Sequence, residues 1–304
     1  MISQKFCMLI GKISSDVWNK LNLAYQYRTT IEEVSITDFI WSSLMECRDI
    51  ETVATKRPGE VAESKTGADL EWWIIDRKLN KGVGLRIQAK IINKSRNGYD
   101  KLKYKIGDRY QIDVLIESAM NEKMIPLYSF YSYSHINSKA WEFAFAHQIQ
   151  QLFIKSIENV HKRETLKDFL FTAEELFCDV KSIQDLVELF GELTDVNHPE
   201  QYIRESVPDY IDTMLRTKKE IVRNRIRGRR KRGTIFTTGM SNDNQSLIDI
   251  IKNTFSIFKK TKINIFKHRI IESLKGDRIQ SHISYVDFPT SGPDVQYIVV
   301  TYYD

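Results

Sequence analysis

Four polar side chains fall on two neighbouring segments that the sequence predicts to be β-strands. Asp69 and Glu71 lie in the run GADLEWWII, and Gln88 and Lys90 lie in the run LRIQAK, which follows after a short glycine-containing turn. Side chains two residues apart on a strand point to the same face of a sheet. The hairpin is therefore predicted to bring two acids, an amide and a lysine together, a set that could bind a divalent metal ion and stabilise developing negative charge.

Composition and charge restrict the class of protein. The chain has 304 residues, of which 42% are hydrophobic, so it can form a buried core in one large domain or in two ordinary ones. Its net charge of +5 permits nucleic-acid binding without requiring it. The sequence contains neither a signal-peptide core nor an apolar span of about 18 residues. We therefore expect neither secretion nor membrane insertion.

Several common kinds of site are missing from the sequence. Cys7, Cys47 and Cys178 lie far apart, with no CxxC pair and no histidine cluster, which indicates neither a disulfide framework nor a zinc site and favours a reducing cytoplasm. Gly82 and Gly84 lack the lysine and the serine or threonine of a phosphate-binding loop, and no GxSxG or HExxH occurs. The sequence therefore gives no support for a P-loop nucleotide hydrolase, a serine esterase or a zinc protease.

The elements that must position the four side chains follow from hydrophobic periodicity. Two helices are predicted within residues 14–48, with a break near Arg28 to Thr30. A first strand is predicted near residues 51–55, before the two hairpin strands. The elements predicted after the hairpin are a helix at 108–120, a strand at 126–133, a strand at 141–145 and a helix at about 147–160. This order predicts a mixed α/β core over residues 1–160.

Beyond residue 160 the pattern becomes mainly helical. Helical periodicity covers residues 166–177, 183–190 and 247–259. We therefore predict a second region over residues 161–304, which includes a basic segment at 216–232. It closes with a predicted strand at residues 295–300 that is able to rejoin the sheet of the first domain.

Asp69, Gln88 and Lys90, in this order of elements, resemble the core of the PD-(D/E)XK nuclease superfamily. In that superfamily a hairpin supplies an aspartate, then an acid or amide, any residue, and a lysine. The resemblance is strongest to the Mrr-like branch, which often has glutamine in the second position, and the motifs GADLEWW and IQAK resemble those of a bacterial family of unknown function. The resemblance extends over about residues 30–155. It implies a restriction-endonuclease-like mixed sheet flanked by helices, followed by a mostly helical C-terminal region.

The resemblance also implies a metal-dependent nuclease that uses Mg²⁺ or Mn²⁺. Asp69 would be the principal metal ligand, together with the backbone carbonyl of Ala89. Lys90 would stabilise the charge that develops beside the attacking water, although lysines at strand ends are also commonly solvated. Gln88 would be a further ligand, weaker than the acid that usually occupies its position. Glu71 would bind the metal ion or orient another ligand.

Two helices contribute further candidates. Glu33 resembles the acid that the first core helix supplies in many superfamily members, and the neighbouring Glu32 is the competing choice. Acids at a helix N-terminus are also favourable through the helix dipole alone. Gln111 resembles a glutamine that some Mrr-like and phage exonuclease-like members place near the site. Trp72 and Trp73 alternate faces, so one is predicted in the core and the other under a helix on the opposite face.

A dense basic segment is the candidate nucleic-acid contact. The predicted contact residues are Arg223, Arg225, Arg227, Arg229, Arg230, Lys231 and Arg232. Such a density of cations would neutralise several phosphates and make binding depend strongly on salt. The alternative is a solvated face that offsets the acidic stretch at residues 164–205.

These observations predict a metal-dependent nuclease that cuts DNA in preference to RNA. A role in bacterial genome or antiviral defence is implied by the resemblance alone. The first alternative is a catalytically silent nucleic-acid-binding module, which Gln88 in an acidic position favours and an intact Lys90 disfavours. The second alternative is an interaction subunit whose helical region binds a partner protein or a second copy of the chain.

Overall fold

The computed structural model describes residues 4–46, 52–56, 63–76, 78–79, 81–93, 97–99, 101–133, 140–155, 157–209, 211 and 297–303. The chain divides into two compact units, one formed by residues 1–216 with 286–304 and the other by residues 217–285. All of the described residues belong to the first unit. This division differs from the boundary near residue 160, because helical residues such as Leu186 and Phe190 join the core that the sheet and the N-terminal helices form.

The helices supply the layers that cover the sheet. In chain order they are α1 (Gln4–Gln26), α2 (Glu33–Glu46), α3 (Glu63–Thr66), α4 (Gln111–Asn121), α5 (Ala146–Ile154), α6 (Arg163–Leu166) and α7 (Ile183–Thr194). The first helix ends near Arg28, which adopts a left-handed φ of 52° and so cannot continue an α-helix. The break predicted between the two N-terminal helices is therefore confirmed.

The strands form one mixed sheet and one small hairpin. In chain order they are β1 (Thr52–Lys56), β2 (Leu70–Asp76), β3 (Lys81–Ile91), β4 (Lys105–Ile106), β5 (Arg109–Tyr110), β6 (Met124–Tyr131), β7 (Trp141–Phe145), β8 (Phe171–Thr172) and β9 (Tyr297–Tyr303). Among the described residues the sheet has the order β1-β9-β2-β3-β6-β7-β8, and β4 pairs with β5 alone. The pairs β2-β9 and β3-β6 are parallel, and the other pairs are antiparallel. The predicted α/β fold class is thus confirmed.

Each face of the sheet has its own hydrophobic core. Trp72 packs in the core that α1, α2 and α7 share with the sheet, where its ring stacks on Phe177 at a centroid distance of 4.3 Å. Trp73 packs in the core on the other face, which contains α4 and α5. The two tryptophans therefore point to opposite faces, as the alternation of side chains along a strand predicts.

Two local differences from the sequence-based prediction involve short elements. The helix predicted from residue 108 begins at Gln111, because the preceding residues form the β4-β5 hairpin. The helix predicted at 166–177 is divided into a short 3₁₀-helix at Lys167–Phe169, the strand β8, and a short π-helix at Glu175–Asp179, and β8 adds a strand to the sheet beside β7. Elements of two residues depend on tertiary contacts more than on periodicity, so the sequence pattern does not reveal them. The helix predicted at 247–259 lies outside the described residues.

The terminal strand β9 lies inside the sheet, between β1 and β2. It pairs antiparallel with β1, where Val53 lies opposite Val300, and parallel with β2, where Trp73 lies opposite the same residue.

Among the described residues, no helix combines the length and the apolar character that crossing a membrane requires.

Candidate active site

The carboxylate of Asp69 is held at the start of β2 by residues of β3. The backbone N–H of Asp69 donates to the carbonyl of Ile87 at 3.0 Å, which extends the β2-β3 ladder by one residue and brings Asp69 opposite Gln88. Asp69 Oδ2 accepts hydrogen bonds from Gln88 Nε2 at 2.6 Å and from the backbone N–H of Ala89 at 2.8 Å. Two donors on one strand therefore fix the position of this oxygen.

Gln88 connects the hairpin to α4. In addition to its bond to Asp69, Gln88 Nε2 donates to the backbone carbonyl of Ala89 at 3.1 Å, and Gln88 Oε1 accepts from Gln111 Nε2 at 2.9 Å. Both glutamines are buried. An amide whose N–H₂ and carbonyl groups both have partners is held in one orientation. The structure thus brings Asp69, Gln88 and Gln111 together.

A tight turn before Asp69 packs directly on α4. Gly67 has a φ of +65°, and a Cβ at this position would lie 2.8 Å from the carbonyl oxygen of Gln111 and 2.8 Å from the backbone nitrogen of Leu115. Ser118 Oγ also donates to the carbonyl of Thr66 at 2.8 Å. Only glycine combines this backbone conformation with such a close approach. The turn therefore sets how near the hairpin comes to α4.

Glu33 reaches the same end of the sheet from the other helical layer. It is the first residue of α2, and its Oε2 accepts a hydrogen bond from the backbone N–H of Ile91 at 3.0 Å. Thr37, one turn later, bonds to the carbonyl of Glu33 at 3.0 Å and to the hydroxyl of Tyr131 at 2.9 Å. The competing candidate Glu32 is exposed. Of the two acids, Glu33 is therefore the one that contacts the sheet.

Lys90 lies on the same face of β3 as Gln88 and is opposite Phe130 of β6. Only 3% of Lys90 is exposed. In the part of the chain that the structure describes, its ammonium makes no hydrogen bond or ion pair. A buried charge without a partner is unfavourable. An anion that approached this face would therefore meet a positive charge that no acid among the described residues pairs with.

Glu71 shares the face of Asp69, as predicted, but its carboxylate is engaged elsewhere. Glu71 is fully buried, its Oε1 accepts a bond from Trp73 Nε1 at 2.5 Å, and its Oε2 lies 3.4 Å from Arg86 Nη2. Arg86 Nη1 also donates to the carbonyl of Ser118 on α4 at 2.7 Å. Both carboxylate oxygens of Glu71 are therefore engaged by Trp73 and Arg86, and its metal-binding role stays a prediction that these contacts do not favour, because the carboxylate neutralises a buried guanidinium.

Tyr128 lies beside Gln88 on β6 and is fully buried. Burial raises the pKa of its hydroxyl, and the negative charges of Asp113, Asp69 and Glu33 raise the pKa further. Tyr128 therefore stays protonated at neutral pH.

Sequence reasoning missed Arg86 and Tyr128. A signal for Arg86 was present, because Arg86, Gln88 and Lys90 alternate along one strand and must share a face. No comparable signal marks Tyr128, whose neighbours depend on which strand pairs with β3. The predicted basic contact residues Arg223, Arg225, Arg227, Arg229, Arg230, Lys231 and Arg232 lie outside the described residues.

The oxygen atoms of the site suit a hard divalent cation. Gln88 Nε2 is within hydrogen-bonding distance of both Asp69 Oδ2 and the Ala89 carbonyl, so these two oxygens converge on one position. Within the described residues, no group of three or more histidine, cysteine or acidic side chains could hold a metal ion. Mg²⁺ is commonly bound by only one or two carboxylates, with water and substrate phosphate in the other positions. Asp69 and the Ala89 carbonyl therefore fit Mg²⁺ or Mn²⁺, and Glu33, held at the backbone N–H of Ile91, is the further acid at this end of the sheet.

Comparison with known proteins gives a family but no activity. A protein-family model matches residues 6–238, well over half of the chain, and its description is a family of unknown function. The matched range includes every residue of the candidate site, from Glu33 to Tyr128. No curated protein matches the chain.

Proposed function

Because the chain belongs to the family of unknown function (DUF6615), whose membership assigns no activity, we propose from the geometry of the site that the protein is a metal-dependent nuclease acting on DNA. The observation that carries the proposal is the convergence of Asp69 Oδ2 and the Ala89 carbonyl on one position, with the buried Lys90 on the adjoining part of the same strand. An acid, a backbone carbonyl and an ammonium that has no partner among the described residues together suit hydrolysis of a phosphodiester.

Each residue has a distinct role in the proposed reaction. Asp69, the Ala89 carbonyl and Glu33 would hold Mg²⁺ or Mn²⁺, which when bound lowers the pKa of a water molecule and neutralises charge on the phosphate. The backbone N–H of Ala89 keeps Asp69 Oδ2 in place. Lys90 stabilises the negative charge that develops on the phosphate oxygens, and its burial strengthens this interaction because little water competes for the ammonium.

Gln88 and Gln111 are positioning residues in this proposal. Their hydrogen bond at 2.9 Å ties the hairpin to α4, and the bond from Gln88 to Asp69 keeps the carboxylate at the strand end. A neutral amide binds a metal ion more weakly than a carboxylate does. We therefore assign Gln88 to holding Asp69, with at most a minor share in binding the metal ion.

One observation favours the alternative of a catalytically silent nucleic-acid-binding module. The N–H₂ group of Gln88 already bonds to both oxygens that the metal ion would need, so the site is satisfied without a metal ion. Gln88 must turn away before a cation can bind there. A protein that never makes this change would keep the fold and bind nucleic acid without cutting it.

Cleavage of supercoiled plasmid and of linear single-stranded DNA, with Mg²⁺ or Mn²⁺, tests the proposal. We expect cutting by the native protein and a loss of at least about 100-fold in Asp69→Asn and in Lys90→Met. Asp168→Asn removes an exposed acid far along the chain and should cut at the native rate.

Either of two results would overturn the proposal. Equal cutting by all four proteins would mean that the activity does not arise at this site. Salt-dependent DNA binding without any cutting, in either metal, would favour the silent module.

The cellular setting is part of the same proposal. Cys7 and Cys178 are free thiols, which is compatible with a reducing cytoplasm. A role in defence against foreign DNA rests only on the resemblance to restriction-type nucleases. A plaque assay that compares bacteria producing the native protein with bacteria producing Asp69→Asn would test that role. Equal phage sensitivity of the two would exclude it.

A further inference from the structure

An exposed basic segment leads directly into the candidate active site. Residues 101–110, KLKYKIGDRY, include the β4-β5 pair and are called the basic hairpin here. Its exposed cations are Lys101, Lys103, Lys105 and Arg109, against the single acid Asp108. Only the last three residues of this segment, 108–110, fall within the helix that the sequence predicts from residue 108, and in the structure they belong to the β4-β5 pair and its turn.

The basic hairpin also exposes two aromatic rings. Tyr104 is 52% exposed and Tyr110 is 41% exposed. Lys105 Nζ lies 5.0 Å from the centroid of the Tyr110 ring, and the Tyr110 ring lies 6.4 Å from that of Phe153 on α5. Cations and rings therefore alternate over one surface. Large aromatic side chains that remain in solvent beside cations indicate a binding surface.

The base of the basic hairpin is held rigidly beside the site. The backbone N–H of Gln111 donates to the carbonyl of Tyr104 at 2.9 Å, and the side chain of the same glutamine bonds to Gln88. Leu102 is buried and its N–H donates to the carbonyl of Tyr99 at 3.2 Å. The exposed rings and cations thus sit on a fixed support, and a bound strand would lead directly to Gln88 and Asp69.

We propose that the basic hairpin binds a single-stranded segment of nucleic acid and guides it into the site. Lys101, Lys103 and Lys105 contact phosphates, while Tyr104 and Tyr110 stack on unpaired bases, which a duplex does not offer. Arg109 contributes less because it is paired with Glu117. The inference rests on the proposed nuclease function, because it identifies single-stranded nucleic acid as the substrate that the active site would receive.

Binding of a fluorescent oligothymidylate of about 20 nucleotides, longer than one typical single-strand site, tests the inference. Anisotropy is measured with the full-length protein in EDTA, so that cleavage plays no part. The triple variant Lys101→Ala/Lys103→Ala/Lys105→Ala should bind at least about 10-fold more weakly, with a salt dependence reduced by about two counterions. The matched control Lys5→Ala/Lys12→Ala/Lys181→Ala removes the same charge from exposed positions elsewhere and should change affinity less than about 2-fold.

The tyrosines are tested separately. Tyr104→Ala/Tyr110→Ala should weaken oligothymidylate binding by about 10-fold or more and leave the affinity for a duplex of the same length unchanged. The control Tyr27→Ala removes another exposed ring, near the end of α1, and should have no effect. Circular dichroism melts show whether each variant is folded.

Three results would overturn the inference. The first is that the triple lysine variant of the basic hairpin and the triple control variant bind the oligonucleotide equally well. The second is that the tyrosine variant loses as much affinity for the duplex as for the single strand. The third is that polyglutamate displaces the fluorescent oligonucleotide as well as unlabelled oligonucleotide does. The last result would indicate a surface for an acidic protein. Because none of these measurements needs a metal ion, failure here leaves the nuclease proposal standing, and absence of cleavage by the native protein leaves the binding surface standing.

Discussion

Gln88 Nε2 donates a 2.6 Å hydrogen bond to Asp69 Oδ2 from the position opposite Asp69 on the neighbouring strand β3. The positive end of the amide N–H₂ group thus lies against the carboxylate when no metal ion is bound. With glutamate in its place, two carboxylates would face each other at the strand end and repel. In the proposed metal site the amide would keep Asp69 in place before metal binds, and a cation would have to displace the amide.

The substitution Gln88→Glu should make stability depend on divalent metal. Without metal we expect the free energy of unfolding to fall by about 1–3 kcal/mol, because a donor is replaced by a like charge. Saturating Mn²⁺ should restore much of this loss, since the added carboxylate binds the ion. Urea denaturation with EDTA or Mn²⁺ measures both effects. Gln151→Glu, at an exposed position of α5, should respond to neither. If the free energy of unfolding of Gln88→Glu is the same with and without Mn²⁺, the result would contradict metal binding beside Asp69.

The substitution Lys90→Met should stabilise the fold while removing the proposed activity. It replaces a largely buried lysine, whose ammonium has no partner within the described residues, by an apolar side chain of similar length. We expect the free energy of unfolding to rise by about 0.5–2 kcal/mol. Lys78→Met, at an exposed position, should change stability by less than about 0.5 kcal/mol. Lower stability in Lys90→Met would mean that the ammonium is already compensated in the fold.

The buried pair of Glu71 and Arg86 should be far more sensitive than an exposed one. Glu71→Ala leaves the Arg86 guanidinium buried without its acid, and we expect a loss of about 3–5 kcal/mol in the free energy of unfolding. Glu205→Ala breaks the exposed pair with Lys81, whose atoms are 2.9 Å apart, and should cost less than about 1 kcal/mol.

A second variant separates loss of the pair from loss of packing around it. Glu71→Leu/Arg86→Met removes both charges and should recover much of the stability that Glu71→Ala loses. Chemical denaturation followed by tryptophan fluorescence gives all of these values. A double variant as unstable as Glu71→Ala would show that packing, and not the unpaired charge, causes the loss.

Gly67 and Gly107 have similar positive φ angles, which allows backbone strain and steric overlap to be separated. Gly107→Ala at φ +60° meets no atom within 4 Å, so it should lose only about 1–2 kcal/mol for the left-handed backbone. Gly67→Ala at φ +65° also overlaps the backbone of α4 and should lose about 1–3 kcal/mol more. Thermal or urea unfolding compares them. Equal losses would show that α4 moves away freely.

His147 should make stability fall as the solution becomes acidic. Burial lowers the pKa of its ring, and Nδ1 has no hydrogen-bond partner among the described residues. When the pH drops below the unfolded value of 6.5, the unfolded chain takes up a proton that the folded ring resists, so stability decreases until the folded pKa is passed. His147→Gln should lose this part of the slope between about pH 8 and pH 5. His198→Gln, at an exposed position, should keep it.

The sequence predicted those features that depend on strand periodicity. Side chains alternate between the two faces of a strand. Once the two strands of the hairpin are identified, this alternation predicts that Asp69 and Gln88 share a face and that Trp72 and Trp73 point to opposite faces. The partner of Glu71 did not follow, because periodicity gives a face but not the choice between a metal ion and the buried Arg86. That choice depends on desolvation, which only the three-dimensional environment determines.

Short elements and the domain boundary were beyond prediction for a related reason. The β4-β5 hairpin and β8 have two residues in each strand, too few for a pattern to appear. The helical residues after 160 read as a separate region because their apolar faces resemble those of any amphipathic helix. Nothing in that periodicity shows that the face of Phe190 packs in the core around Trp72.

Because β9 lies between β1 and β2 in the sheet, the sheet can be completed only after β9 has been synthesised. A ribosome delivers β1 and β2 long before β9, which must then insert between them. The strands and helix that hold Asp69, Gln88 and Gln111 can pair earlier, because β2, β3, β6 and α4 are consecutive neighbours that do not need β9. Until β9 arrives, the nascent chain presents an open strand edge at β2, and such edges readily pair with other chains. Premature termination would therefore leave a nearly complete site on a protein prone to aggregate.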